Sequence, residues 1–316
     1  LGSGDSGRGD EEDPVNGASG QGSVPGSGAA VTASAASGAA ATRAVGLFSA
    51  ASAVRSLGDG TFTADLSPDW TVGNRPHGGF LLSLLARTAL QVAAAAGGND
   101  GAGPLDPVAV SAQFLRPPEV GPVLLRTELR KIGRTAAVIN ANLEQRGRSC
   151  VESMITVGRL VDEPPSWTDL PDLPAKPPPD ALDLSAVPGA SVFKLSRTCE
   201  IRLDQATAGF LHGRTGDPLR LRMWARPRGE QPDSLFALLA GDISMPVTLN
   251  IGRYGWSPTV QLTSLLRSRP APGWLRIDVG SRAVHGQWFD QDATVIDSTG
   301  RLVCQARQLA LTPQER

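Results

Sequence analysis

Asp242 is the first residue whose placement calls for a chemical reason. It follows Leu235-Phe236-Ala237-Leu238-Leu239-Ala240-Gly241, an apolar run of helical character, and so falls near that helix's C-terminal end. A carboxylate there opposes the helix dipole and stands among core-forming side chains, which costs stability. Burial in an apolar cleft raises a carboxylate's pKa and suits it to work as a general base or nucleophile. The plainer alternative is a solvent-exposed Asp at a helix end. A second candidate is Pro76-His77-Gly78-Gly79, at the start of another predicted helix. Glycines leave backbone N–H groups unobstructed, and a helix N-terminus offers unpaired donors and a positive dipole end. Together these make a cradle for the oxygen of a polarised carbonyl. The same pair would equally serve close packing of helix on sheet, and the motif alone does not separate the two.

Gln308 lies in Leu302-Val303-Cys304-Gln305-Ala306-Arg307-Gln308-Leu309-Ala310-Leu311. Alternation places it on the inward face with Leu302, Cys304, Ala306 and Ala310. A buried amide demands partners, and a water or a carboxylate would serve. Thr259 opens a strand after Ser257-Pro258, but its same-face neighbours are Gln261 and Thr263, so patterning does not turn it inward. As an isolated residue it reads as an ordinary strand Thr. His212 and His285 stand far from any nucleophile motif, and no GxSxG is present, which argues against a Ser-His-Asp hydrolase. Arg214, Arg220, Arg222, Arg226 and Arg228 form a basic stretch that suits either phosphate contacts or a solvated strand face.

The elements that must position these residues come in two similar blocks. In the first, a strand (Thr61–Leu66) precedes a helix predicted over Phe80–Ala95, with Leu81, Leu84, Leu85 and Leu90 at helical spacing. Strand-like runs follow at Val108–Leu115, Val123–Ile132, Ala136–Gln145 and Cys150–Leu160. The second block repeats the order: strands Cys199–Asp204 and Leu219–Ala225, a helix over Pro232–Asp242, then Thr259–Leu266, Trp274–Ser281, His285–Ile296 and Leu302–Leu311. Phe114-Leu115-Arg116-Pro117 is echoed by Arg267-Ser268-Arg269-Pro270, a repeat of domain size. One helix followed by four strands implies an antiparallel sheet wrapped around that helix, giving an α+β fold.

Counting back from Asp242 as far as His77 lies from Ala86 lands on Asp233. The first block therefore has the Gly-Gly start and Ala86 where the second has its acid. Start and acid of one helix would lie about 14 Å apart at 1.5 Å per residue. They meet only if the two helices face each other antiparallel, which predicts one composite site per chain.

The remaining sequence bounds the setting. Residues 1–45 are Gly-, Ser-, Ala- and acid-rich without an aromatic side chain, the composition of a disordered tail. Residues 161–195, with Glu163-Pro164-Pro165 and Lys176-Pro177-Pro178-Pro179, read as a stiff linker. That leaves 46–160 and 196–316 as the two folded domains. A formal net charge of -1 argues against a nucleic-acid binder. Cys150, Cys199 and Cys304 form neither a zinc pattern nor a disulfide framework, and fit a reducing cytoplasm. No run reads as a membrane span of ~20 residues, so membrane insertion is not expected.

At these residues the chain resembles the acyl-CoA thioesterase II-like family, whose fold is a fused double hot-dog: two antiparallel sheets, each wrapped around a central helix. The likeness rests on Leu239-Ala240-Gly241-Asp242, Pro258-Thr259-Val260-Gln261-Leu262-Thr263, Val303-Cys304-Gln305-Ala306-Arg307-Gln308-Leu309-Ala310, Gly78-Gly79 and Phe114-Leu115-Arg116-Pro117. It covers about Val45 to Pro313, the linker excepted. The resemblance implies an active site of Asp242, Thr259 and Gln308. The stretch with His77 is more similar to single hot-dog thioesterases.

The expectation is thus an acyl-CoA thioesterase giving free fatty acid and coenzyme A. Asp242 activates a water that Thr259 and Gln308 hold, and N–H groups at Gly78 and Gly79, beside His77, stabilise the oxyanion. No metal or cofactor is implied beyond the coenzyme A of the substrate, and a homo-oligomer, dimer or tetramer, is expected. Two alternatives stand beside it. One is a non-catalytic acyl-CoA binding protein. The other is a hot-dog acyl-thioester hydratase, which would need a His beside the acid, and no His lies on the Asp242 helix.

Overall fold

Short turns join most consecutive strands, and a short turn can only lay a strand antiparallel to its predecessor. The computed structural model describes residues 47–98, 103–187 and 189–313. The predicted disordered tail over residues 1–45 lies outside the described residues. The first half runs α1 (Leu47–Ala51), β1 (Arg55–Gly58), β2 (Thr61–Leu66), β3 (Thr71–Val72), β4 (Arg75–Pro76) and α2 (Gly78–Ala93). It ends with β5 (Asp106–Phe114), β6 (Gly121–Ile132), β7 (Ala136–Gln145) and β8 (Arg148–Gly158). The second half runs β9 (Leu182–Asp183), α3 (Leu195–Thr198), β10 (Cys199–Leu203), β11 (Arg220–Pro227) and α4 (Ser234–Ala240). It closes with β12 (Thr259–Leu266), β13 (Leu275–Gly280), β14 (Val284–His285), β15 (Trp288–Ile296) and β16 (Leu302–Leu311).

The main sheet has the order β1-β2-β6-β7-β8-β5-β12-β16-β15-β13-β11-β10-β9, with β14 paired beside β15. Reading outward from the centre, β5-β8-β7-β6-β2-β1 on one arm matches β12-β16-β15-β13-β11-β10 on the other. The predicted α+β double hot-dog is therefore present, and its two sheets are fused edge to edge. The seam is the antiparallel pair β5–β12, from Gln261 opposite Gln113 to Leu265 opposite Ala109. Around that seam the halves repeat as if about a two-fold axis.

Helix α2 is apolar nearly all round, the mark of a core helix. Phe80, Leu81, Leu82, Leu84, Leu85, Ala86 and Ala89 are all buried. A π turn, Ala94–Gly98, ends it, with Gly97 at a positive φ of 94°. This helical run, Gly78–Gly97, spans 20 residues at a mean hydropathy of 1.5, enough by length and composition to cross a membrane. Ser83, Arg87, Thr88 and Gln91 interrupt it, so no unbroken apolar run of that length is legible in the sequence. It is 61% buried, packed against β5, β6, β7 and β8.

Helix α4 is shorter than the predicted Pro232–Asp242. The Asp233 side chain caps it by accepting from the Phe236 N–H at 2.7 Å, and Gly241 closes it. Asp242 thus stands just past the helix. The helices run antiparallel, since Gly79 abuts Leu239 while Ser83 Oγ donates to the Leu235 carbonyl at 2.9 Å.

Across the seam, Arg269 Nη2 donates to Asp106 Oδ2 at 2.5 Å, and Ser234 Oγ donates to Asp106 Oδ1 at 2.8 Å. Asp106 is buried, so removing its cation would leave an uncompensated charge at a cost of about 3–5 kcal/mol. The Pro-rich stretch is more than a spacer: β9 pairs with β10, Leu173 is buried, and the Trp224 indole N–H donates to the Pro174 carbonyl at 2.8 Å.

Candidate active site

The start of α2 and the end of α4 meet at one point. There the Gly79 N–H donates to Asp242 Oδ2 at 2.7 Å. Two neighbouring glycines make this possible for different reasons. A Cβ on Gly79 would lie 2.9 Å from Leu239 Cα and O, so its absence lets the two backbones touch. A Cβ on Gly78 would lie 2.7 Å from Asp242 Oδ2 itself, so its absence makes room for the carboxylate. Cradle and close packing, alternatives in the sequence, are therefore divided between Gly78 and Gly79.

Asp242 is 7% exposed. Burial pushes its pKa above the ordinary carboxylate range, opposed by His77 and by the Gly79 hydrogen bond. The charge that opposes the dipole of α4 sits at the positive end of α2, which offsets that penalty. His77 is the N-cap of α2 without a side-chain capping bond. Its Nε2 lies 3.1 Å from the Asp242 carbonyl and 3.8 Å from Asp242 Oδ2. A carbonyl only accepts, so Nε2 carries the proton. Burial pulls the His77 pKa down, with Asp242 opposing, which favours the neutral imidazole.

These contacts correct the expected oxyanion role. Gly79 cannot offer its N–H to a substrate because Asp242 occupies it, and His77 spends Nε2–H on the Asp242 backbone. Both hold the acid. Gly78 and Phe80, also in the first turn of α2, have N–H groups without an intrahelical acceptor.

Thr259 and Gln308 come together. Thr259 Oγ1 donates to Gln308 Oε1 at 2.6 Å, which leaves the amide NH₂ as a donor. Gln308 is buried, on the inward face that alternation predicts. Thr259 faces inward because of a register shift between Thr259 and Gln261. Thr259 pairs with Ala310, which faces the core, whereas Gln261 pairs with Leu309, which is exposed. Val260 is the extra residue of a β-bulge, and a bulge reverses the parity that alternation assumes.

The acid and the Thr–Gln pair belong to one end of the sheet. A Cβ on Gly241 would lie 3.0 Å from Ala306 Cβ. Gln308 is the next same-face residue of β16, about 7 Å along the strand. The Phe114 ring, 3.4 Å from where a Gly78 Cβ would be, ends β5 one residue past the Gln113–Gln261 pair. Phe114, legible in the sequence as part of the repeat and of the family likeness but not as a site residue, is a wall of the site. Below lies an aromatic cluster: Trp70 stacks on Phe80 at 5.1 Å, and Phe48 meets Trp70 and Phe236 edge-on at 5.5 and 5.3 Å. Each such pair contributes about 0.5–1.5 kcal/mol and stiffens the floor under both helices.

A separate groove of about 610 Å³ lies on the outer face of the second half, lined among others by Arg220, Asp278, Asp292 and Arg307. Among its charges, Arg220 pairs with Asp278 and Arg307 with Asp292. It lies on the opposite side of the sheet from Gln308.

Comparison with known proteins shows the family and the fold. Residues 66–158 match the acyl-CoA thioesterase N-terminal domain and residues 168–312 the acyl-CoA thioesterase C-terminal domain. The chain belongs to the acyl-CoA thioesterase family. It is a thioester hydrolase. A Mycobacterium tuberculosis H37Rv protein described as uncharacterised is 39% identical over 274 residues, 80% of this chain and 91% of the relative. A crystal structure of a candidate thioesterase II from Thermobifida fusca YX superposes with a TM-score of 0.73 at 26% identity, covering 86% of this chain and 99% of that one. An Alicyclobacillus acidocaldarius protein with a hot-dog fold superposes at 0.70 with 18% identity, covering 85% and 98%, and shares the fold.

Proposed function

We propose that this thioesterase hydrolyses acyl-CoA to a free fatty acid and coenzyme A, with Asp242 as general base. The contact that carries the reading is the Gly79 N–H to Asp242 Oδ2 bond of 2.7 Å, joining the two halves. It fixes one carboxylate oxygen and leaves the other for a water proton. The Gln308 amide, oriented by Thr259, donates to that water from the adjoining strand. The water oxygen bonds to the thioester carbon while its proton passes to Asp242. The oxyanion so formed is met by the Gly78 and Phe80 N–H groups and the dipole of α2. The carbonyl re-forms, the C–S bond breaks, and the proton returns to the sulfur. The acyl chain lies against the apolar walls near Phe114.

The mechanism needs no metal or redox cofactor. Three buried free thiols support a reducing, cytoplasmic setting, and the protein assembles as a homo-oligomer of double hot-dogs. Incubation with acyl-CoAs of several chain lengths, with detection of free thiol, tests the reading. A folded protein that releases no thiol from any of them overturns it.

One observation favours a second reading. The hydratase alternative lacked a His beside the acid, and His77 supplies one from the opposite half, 3.8 Å from Asp242 Oδ2. An enoyl-CoA whose conjugated absorbance falls without thiol release would select hydration. A fall matched by stoichiometric thiol release selects hydrolysis, since cleaving the thioester also removes the conjugated chromophore.

A further inference from the structure

Gln291 stands directly opposite Gln308 in the β15–β16 ladder and is 4% exposed. Facing side chains in such a pair have Cβ atoms about 5 Å apart, yet no hydrogen bond joins the two amides among the described residues. Both polar ends of Gln291 go elsewhere. Its Oε1 accepts from the Val247 N–H at 3.0 Å, and its Nε2 donates to Ser244 Oγ at 2.8 Å. Ser244 Oγ in turn donates to the Met245 carbonyl at 3.1 Å. The segment that leaves Asp242, residues 243–247, is thus tied at two points to the strand beside the one carrying Gln308. Ile243, Met245 and Val247 are buried around these bonds, so the tie is shielded from competing water.

We propose that Gln291 is a positioning residue that sets the separation between Asp242 and the Thr259–Gln308 pair. This rests on the hydrolytic reading above, in which a water must touch both. Gly79 and His77 fix Asp242 against α2, and Gly241 packs on Ala306 of β16, but none of these contacts is a hydrogen-bonded link to the sheet layer that holds Gln308. Gln291 supplies that link, acting through Ser244 and Val247 without touching substrate. A displacement of about 1 Å between catalytic groups is enough to lower turnover by about 10²-fold, so a two-point tether is a sensitive element.

The test compares Gln291→Leu, near in volume but without polar ends, with Ser244→Ala, which cuts one of the two ties. Thiol release is measured on protein shown to be folded by circular dichroism. Gln291→Leu is expected to lower kcat by 10-fold or more with KM changed by less than about 3-fold, because ground-state contacts are intact. Ser244→Ala should fall between it and wild type, and serves alone if the Leu variant does not fold. In a Gln308→Ala background the Gln291→Leu change should cost no further activity, since the group it aligns is gone. A merely structural Gln291 would lower thermal stability and leave kcat and that non-additivity unmoved. Unchanged kcat in the folded variant, or the same loss in both backgrounds, overturns the positioning role. An inactive wild type would instead overturn the hydrolytic reading.

Discussion

Adjacent glycines at the start of α2 should respond in opposite ways to the same added methyl group. In Gly79→Ala the new Cβ meets Leu239 Cα and O at 2.9 Å and Asp242 Cβ at 3.0 Å, against an ordinary carbon contact of about 3.5–4.0 Å. The helices must part by roughly 0.5 Å or more, and overpacking of this kind costs about 1–3 kcal/mol. The gain in helix propensity over Gly returns about 0.5–1 kcal/mol. A net loss of about 1–2 kcal/mol should lower Tm by about 2–6 °C for a chain of this size. In Gly78→Ala the Cβ meets only side-chain atoms, Asp242 Oδ2 at 2.7 Å and the Phe114 ring at 3.4 and 3.5 Å. Neither glycine has a positive φ, so backbone strain does not enter. The carboxylate can swing aside, which removes its bond to the Gly79 N–H but opens no core. Tm should therefore stay within about 1 °C of wild type or rise slightly. Turnover should fall by about 10²-fold as the base is displaced. Thermal melts by circular dichroism and free-thiol release on both variants supply the comparison. Wild-type turnover in Gly78→Ala, or an equal Tm loss in both, would refute the division of labour between the two glycines.

The remaining predictions concern the partners of the acid. Thr259→Val removes the donor that orients Gln308 while keeping shape, and Gln308→Leu removes the amide; each should lower kcat by about 10–10²-fold with Tm changed little. The acid limb of kcat/KM in wild type should titrate above the ordinary carboxylate range, because burial raises the Asp242 pKa and the base must be ionised. For stability the sign is the reverse: a raised folded-state carboxylate pKa contributes stability at low pH that is lost as pH rises through it. His77, with its folded-state pKa depressed by burial, should make wild type lose stability as pH falls below about 6.5. Denaturant titrations across pH should show that loss weakened in His77→Gln.

Period-two and helical spacing carried most of the fold, because this core is built from long, regular elements. Thr259–Leu266, Ala136–Gln145 and Leu302–Leu311 have the expected strand limits, and alternation correctly turned Gln308 inward. The same rule failed at Thr259, where one inserted residue, Val260, flips the parity and leaves no local trace in composition. Gln291 carried the signal that singled out Gln308, a lone amide in the inward series Phe289, Gln291, Ala293, Val295, and was passed over. Contacts between halves were less legible. Asp242 was suspect for opposing the dipole of α4, but its compensation by α2 and its contact with His77 span a sequence separation of 165 residues. The Pro-rich stretch misled for another reason: a few residues, Leu173, Leu182 and Leu184, pack against the second half, too few to shift its composition.

The most direct test of the account is thiol release from acyl-CoA by wild type and Asp242→Asn side by side, with thermal melts on the same samples. Asn keeps the size and can still accept from the Gly79 N–H, but it cannot take a proton from water. The variant should be as stable as wild type or slightly more so at neutral pH, since a buried charge is gone. Its turnover should fall by about 10² or more. A well-folded Asp242→Asn that releases thiol at the wild-type rate would contradict the role of this carboxylate as the base.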